Sequence, residues 1–245
     1  MIGGDPDDGE VTYDALLRGR VRLIQPARGF RSSLDPVLLA GFVAPPYGRF
    51  VDIGCGTGAV SFVLLARDPA ATGVGIEIQP RLARLAGLGA RANGYDNRFE
   101  VHAADARQPG TLGGAFDLVV INPPFRALGT GVLPPDEERS IANHELTLRL
   151  DQWLDVAARC LGTGGRLAAI FPAQRWPELA VGLAARGLAP VRLRPVASRP
   201  GSVPQRLLVE ARRGPVGAVA MAPPLVVHEG NGFSAEVRRL LGEPT

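Results

Sequence analysis

The sequence predicts an α/β fold in which a mostly parallel sheet is covered by helices on both faces, and three observations lead there. Short apolar runs alternate with helical patterns through the middle of the chain, the mark of successive βα units. A glycine-rich turn, Gly54-Cys55-Gly56-Thr57-Gly58, joins the first such run to the first such helix. The length of 245 residues, with 46% hydrophobic and 21% charged side chains, suits one large α/β domain and excludes disordered and collagen-like classes.

Taken in order, Tyr13–Leu17 reads as one helical turn and Val21–Gln25 as a short strand. Asp35-Pro36 reads as an N-cap with proline at the first helical position, opening a helix that Pro45-Pro46 stops. Strands are expected at Phe50–Ile53, Gly73–Ile78, Phe99–Ala104, Leu118–Ile121 and Arg166–Phe171. Helices are expected at Ala59–Arg67, Pro80–Asn93, Leu146–Leu161 and Trp176–Arg186. Leu188–Arg194 and Gln205–Arg212 form a final strand pair, whose connecting loop is too long for a tight turn. The tail adds a short strand at Leu225–Val227 and a helix at Phe233–Leu241. This divides the chain into an N-terminal segment (1–46), a core (47–213) and a tail (214–245) packed on the same domain.

Composition narrows function. No stretch approaches the ~18 apolar residues of a spanning helix, and MIGGDPDDGE is acidic where a secretory signal is basic and then apolar, so no membrane association and a cytoplasmic location are expected. Two cysteines, Cys55 and Cys160, give neither a disulfide framework nor metal-ligand spacing, and no metal is expected. The chain contains no lysine, so all 27 cationic side chains are arginine. Two stretches are strongly basic: Arg18, Arg20, Arg22, Arg28 and Arg31 without an acid, and residues 186–213 with seven arginines against Glu210. Such stretches suit phosphate. His102, His144 and His228 are scattered singly, Ser61 and Ser140 lack a nucleophile-elbow context, and Trp153 and Trp176 sit at helix positions, so all read as structural.

The chemistry sits at strand ends. Gly54, Gly56 and Gly58 let the backbone turn tightly and approach a ligand closely. The spacing also satisfies a dinucleotide fingerprint through Gly54, Gly56 and Ala59, with Glu77 placed to hold ribose hydroxyls, so the loop alone leaves a nicotinamide-type oxidoreductase open. Asp52, two residues before the glycines, sits badly against a pyrophosphate and well against a cationic ligand. S-adenosylmethionine (SAM) is such a ligand, and Asp52-x-Gly54-x-Gly56-x-Gly58 resembles the first motif of SAM-dependent methyltransferases. Glu77 would accept both ribose hydroxyls, with Ile78 beside it, and Asp105 with Ala106, just past the third strand, would meet the adenine ring. Asn122-Pro123-Pro124-Phe125, ending the fourth strand, offers backbone and side-chain carbonyl acceptors beside an aromatic face, a setting for a planar amine.

Together, DIGCGTG and NPPF resemble the amino-methyltransferases that modify exocyclic or amide nitrogens. The order RLIQPARGFRSSLDPVLLAGF, VDIGCGTGAVSFVLLAR, GIEIQP, INPPF and NGFSAEV, over roughly residues 14 to 241, resembles the bacterial tRNA1(Val) adenine-N6 methyltransferase family. The resemblance implies a Rossmann-like class I SAM-dependent methyltransferase with a seven-stranded sheet, the last strand antiparallel, and residues 1–46 serving as a lid. It implies SAM held by Asp52, Gly54, Cys55, Gly56, Gly58, Glu77, Ile78, Asp105, Ala106 and Asn122, and catalysis at Asn122, Pro123, Pro124 and Phe125. A tRNA or other RNA partner would meet Arg28, Phe30, Arg31, Arg192, Arg194 and Arg199, with Asp35 in the same cover segment. Phe125 stands where tyrosine is usual in the family, and phenylalanine also occurs in guanine-N2 enzymes acting on ribosomal RNA. Guanine-N2 and protein glutamine-N5 methylation therefore stand as alternatives, with a non-catalytic SAM sensor as a third.

Overall fold

A strand with polar residues facing inward opens the structure. In this computed structural model, which describes residues 10–29, 31–108, 110–112, 115–123, 148–214 and 217–243, β1 (Val11–Leu16) pairs antiparallel with β2 (Val21–Pro26). The expected helical turn at Tyr13–Leu17 is therefore a strand, followed by a short 3-10 turn at Leu17–Gly19. Its inward positions are Thr12, Asp14 and Leu16, while Tyr13 is exposed, so the alternation is of polar groups that find partners in Gln25 and Arg31. Helix α1 (Asp35–Phe42) begins one residue earlier than a cap at Asp35 would require. Leu34 occupies the cap position, and the Asp35 carboxylate meets Arg206 at 3.5 Å.

The main sheet contains β3 (Arg49–Ile53), β4 (Thr72–Glu77), β5 (Phe99–Ala103), β6 (Phe116–Ile121), β7 (Leu161–Pro172), β8 (Leu188–Ala197) and β9 (Arg206–Arg213), in the spatial order β5-β4-β3-β6-β7-β9-β8. Strands β5 to β7 run parallel, and β9 is antiparallel to both β7 and β8. The seven expected strands are thus present, the last one antiparallel. The tail widens the sheet beyond seven: β10 (Ala220–Met221) and β11 (Leu225–Val226) pair parallel with β8, so β8 is not an edge. Residues 228–233 form a small hairpin, β12 (His228–Glu229) and β13 (Gly232–Phe233), whose last residue, Phe233, was the expected start of the tail helix. Its Gly230-Asn231 link, with Gly230 at φ 58°, is a two-residue hairpin signal in the sequence.

The sheet separates two cores. On one face, Phe50, Leu118, Val120 and Ile170 meet α1, α2 (Ala59–Arg67), α3 (Pro80–Ala92) and the β1–β2 hairpin. On the other, Val51, Ile53, Val119 and Ile121 meet α4 (Leu150–Cys160) and α5 (Trp176–Ala184). Period-two alternation along β3 and β6 sends neighbours to opposite cores. The tail helix α6 (Ala235–Leu240) is N-capped by Ser234 and buries Val237 in the first core. Among the described residues no helix is long and apolar enough to cross a membrane.

One aromatic group fixes how closely β4 can be clothed. The Phe50 and Phe99 rings stack at 6.2 Å and Phe62 meets Phe99 edge-on at 5.7 Å. A Cβ on Gly73 would lie 2.2 Å from the Phe50 ring. Gly73→Ala is therefore expected to lower stability by about 1–3 kcal/mol, the usual cost of overpacking a filled core. Gly87→Ala on α3, where an added Cβ meets nothing, should be neutral or stabilising. Urea midpoints of the two variants against the parent check both signs.

Candidate active site

Ligands in an open α/β sheet bind outside the carboxyl ends of the strands, where the strand order reverses. Here the reversal lies between β3 and β6, since β4 flanks β3 on one side and β6 on the other. The registers align the ends: Ile53 pairs with Ile76 and with Ile121. The next residue on each strand is Gly54, Glu77 and Asn122. The sequence-predicted glycine turn, ribose acceptor and amine acceptor therefore stand on one level across three adjacent strands, about 10 Å from first to last at ~4.8 Å per strand.

The turn is built by backbone conformation. Gly54, Gly56 and Gly58 have φ of 71°, 55° and 88°, a region that side-chain-bearing residues rarely enter. The Gly54 and Cys55 N–H groups both donate to the Ile76 carbonyl, and Gly56 N–H donates to Glu77 Oε2 at 2.9 Å. The other Glu77 oxygen accepts from Gln79 N–H at 2.9 Å. Glu77 is 6% exposed, and burial raises its pKa against the pull of these backbone donors. The Ile78 backbone N–H is a third donor to this carboxylate, and its remaining acceptor capacity is open to a ligand. Ile78, next along, keeps 38% of its surface exposed. Cys55 is buried beside the loop, its thiol pushed far up by burial and by Asp52 and Glu77.

Asp52 lies beneath this turn. Helix α2 has Gly58 at its cap position and no side-chain cap of its own. Asp52 takes over that role, accepting from Ser61 Oγ at 2.7 Å and from the Ser61 backbone N–H. Ser61, which reads as a bystander in sequence, thus holds the acid in place. Burial raises the Asp52 pKa to about 7, Ser61 pulls it down, and the Glu77 charge adds a further rise. The folded state therefore binds a proton more tightly than the unfolded chain between about pH 4 and 7, and stability falls as pH rises through that window. The parent is expected to melt at lower temperature at pH 8 than at pH 5, and Asp52→Asn should flatten that dependence in a pH series of thermal scans.

The remaining positions differ from expectation in instructive ways. Asp105 is gripped by the Arg107 fork, with Nη2 at 2.6 Å from Oδ2, which lowers its pKa. Its expected partner, an adenine amino group, must share the carboxylate with that guanidinium. The neighbouring Ala106 carbonyl is held by Arg159 at 3.0 Å. Pro123 is buried, while Pro124, Phe125, Phe30, Ser140 and His144 lie outside the described residues. Three buried oxygens have no partner among the described residues: Ser32 Oγ, Thr57 Oγ1 and Asn122 Oδ1. Asn122 was anticipated; Ser32 and Thr57 were not, because isolated hydroxyl residues in loops carry no spacing signal.

The start of α1 reaches the same edge. Asp35, the first residue of α1, meets Arg206, and Arg206 pairs with Pro172 at the carboxyl end of β7. Arg28 is exposed, and Arg31 bonds Asp14 at 2.8 Å and Thr12 at 2.7 Å. The second basic stretch is largely committed internally. Arg192 pairs with Glu210 at 2.9 Å, donates to the Phe42 carbonyl and lies 4.0 Å over the Phe42 ring. Arg194 forms a two-pronged pair with Glu236, both bonds 2.7 Å, and bonds the Pro223 carbonyl. These two guanidiniums have acidic partners on the β8–β9 ladder and in the tail helix, which compensate their charges. Arg199 is different: it sits in the exposed loop after β8, on the carboxyl edge, with one bond to the Gly230 carbonyl. Among the described residues no group of His, Cys, Asp or Glu side chains is placed to hold a metal ion.

With this geometry in hand, comparison with known proteins is informative. The model of the methyltransferase small domain matches residues 34–174. The chain belongs to the methyltransferase small domain family. It is 32% identical over 237 residues to a tRNA1(Val) (adenine(37)-N6)-methyltransferase of Porphyromonas gingivalis, covering 92% of each chain. A protein of the same name from Mannheimia succiniciproducens is 29% identical over 183 residues, 74% of each chain. Among solved structures, a predicted O-methyltransferase, Atu636 of Agrobacterium tumefaciens, superposes with a TM-score of 0.68 at 25% identity, covering 84% of this chain and 94% of that one. The resemblance drawn from DIGCGTG and NPPF thus holds across nearly the whole chain, and the dinucleotide reading of the glycine loop falls to the methyltransferase one.

Proposed function

We propose that this methyltransferase small domain protein transfers a methyl group from SAM to the exocyclic N6 of an adenine in the anticodon loop of a tRNA. The observation that carries the reading is Asn122 Oδ1, buried with no partner among the described residues at the level of Gly54 and Glu77, at the head of N-P-P-F. A buried acceptor left unpaired costs about 1–3 kcal/mol, which an incoming N–H donor recovers.

The residues present suit SAM. Glu77 keeps acceptor capacity toward the ribose hydroxyls, Gly54 opens onto free space where a Cβ would stand, and exposed Ile78 offers an apolar face to adenine. Asp52 lies behind the glycine turn, where its negative charge favours an ammonium group. Cys55, Gly56, Gly58, Asp105, Ala106 and Asn122 complete the cofactor set we assign. SAM supplies an electrophilic methyl group on a sulfonium. For the acceptor, the Asn122 side-chain carbonyl and the Pro123 main-chain carbonyl accept the two amine N–H groups, which draws the nitrogen lone pair out of conjugation with the ring. Pro124 fixes the backbone, and Phe125 stacks on the base. The nitrogen becomes acidic as it is alkylated and loses its proton late, so positioning and electrostatics replace a strong base.

We read residues 1–46 as a lid, 47–213 as the catalytic core and 214–245 as a tail, and place the reaction in the cytoplasm. Arg28, Phe30, Arg31 and Arg199 are assigned to the RNA, since a base must leave its stack to reach Asn122 and its phosphates need cations at that edge. Incubation with methyl-labelled SAM and, separately, total tRNA, ribosomal RNA and protein tests the class of substrate. Label is expected in tRNA. Label in ribosomal RNA or in protein glutamine instead would replace this substrate and keep the amino-methyltransferase core.

A further inference from the structure

The tail hairpin is not needed to build the SAM or amine sites, yet it presents an unusual surface. His228 and Phe233 face each other across β12 and β13 and stack, with ring centroids 5.1 Å apart at 25°. Phe233 keeps 38% of its surface exposed. A phenyl ring already stacked on one side and open to solvent offers its free surface to a third flat group. The hairpin is fixed to the carboxyl edge of the sheet: Val227 N–H donates to Ala197 and His228 N–H to Ser198, at the end of β8. Arg199 ties in from the same loop: among the described residues its side chain makes one bond, to the Gly230 carbonyl at 2.9 Å, and that uses one of its five N–H donors. Glu229, the nearby acid on the hairpin, pairs with Gly232 and so lies on the opposite face from the stack.

We propose that the His228–Phe233 stack is a docking platform for an unpaired nucleotide of the RNA substrate, with Arg199 meeting its phosphate. The inference rests on the tRNA reading above and adds a second contact to it. A flat apolar face with an adjacent guanidinium is the pairing that single-stranded nucleic acid uses, stacking for the base and charge for the backbone. The platform and Asn122 share one edge of the sheet. From β6 through β7 and β9 to β8, and then to β11, is four strand spacings, roughly 20 Å at ~4.8 Å each. The nucleotide held here is therefore not the neighbour of the target base but one several positions along the same strand, so the platform sets how far the substrate's loop lies from the reacting amine.

Steady-state kinetics with a tRNA1(Val) transcript test this. Phe233→Ala should raise KM for the transcript about 5- to 150-fold, the range expected for losing one base stack, with kcat and SAM affinity near those of the parent. Phe233→Leu keeps an apolar side chain without the flat ring and should behave like Phe233→Ala, while Phe233→Tyr should retain parental KM. Arg199→Ser should raise KM and reduce the salt dependence of binding. Thermal melting separates loss of fold from loss of contact. A parent enzyme that leaves the transcript unmodified would overturn the tRNA reading itself. A parent that methylates it, with KM unchanged in Phe233→Ala and Phe233→Leu, would overturn the platform alone. A dimer that dissociates in Phe233→Ala without change in KM would assign the surface to a second copy of the chain and equally overturn it.

Discussion

Replacing Asn122 with alanine is expected to lower the rate of methyl transfer by about 10²–10³ while weakening SAM far less, since Asn122 is only one member of the cofactor set. The magnitude is that of removing one preorganised polar group aimed at charge that develops in the transition state. The reason lies in the placement of Oδ1, which is buried and unpartnered among the described residues before any substrate arrives. Its alignment has been set during folding, by the register that puts Ile121 beside Ile53 and sends Asn122 just beyond the sheet. An interaction made mainly on the way to the transition state changes kcat more than binding. Single-turnover rates with saturating SAM and tRNA, together with calorimetric SAM titration, check the split. A fully active Asn122→Ala enzyme would place the reacting amine elsewhere.

Removing the Glu77 carboxylate should act on the opposite parameter. Glu77→Ala deletes the acceptor assigned to the ribose hydroxyls and also releases Gly56 N–H, which Oε2 holds at 2.9 Å. Both effects fall on the cofactor. The expected loss is about 1–3 kcal/mol of SAM binding, or roughly 5- to 150-fold in Kd. Burying a carboxylate that burial itself penalises also costs stability in the ligand-free protein. Glu77→Ala should therefore weaken SAM while melting no lower than Asn122→Ala, and calorimetry with melting curves shows whether the two properties part in this way. Unchanged SAM affinity would remove Glu77 from the cofactor site.

Much of this architecture is legible in the chain because its strands obey one simple rule. Buried parallel strands read as continuous apolar runs, and Phe50–Ile53, Leu118–Ile121 and Arg166–Phe171 are found within β3, β6 and β7. The positions of the candidate site residues were legible for the same reason, as polar and glycine residues at the ends of those runs. Strand β1 was not, because its inward side chains Thr12 and Asp14 are polar and gain their partners from Gln25 and Arg31, far along the chain. The arginines are a related case. A basic stretch looks unpaired in sequence, but Arg192 finds Glu210 across the β8–β9 ladder and Arg194 finds Glu236 in the tail helix. Ser61 had no motif to mark it, since what it does is hold Asp52. The His228–Phe233 stack depends on a turn signal, Gly230-Asn231, that only acquires meaning once both flanking residues are seen face to face.

The most direct test combines the purified protein, SAM and two tRNA1(Val) transcripts, one with adenine and one with guanine at position 37, the position named in the curated relatives. Nucleoside mass spectrometry is expected to find N6-methyladenosine in the first transcript and no added methyl group in the second. The Asn122→Ala enzyme should give the same product about 10²–10³ times more slowly. Methylation of both transcripts alike, a methyl group on guanine N2, or a parent enzyme that binds SAM and modifies neither transcript would contradict the assignment of an adenine amine to the Asn122 site.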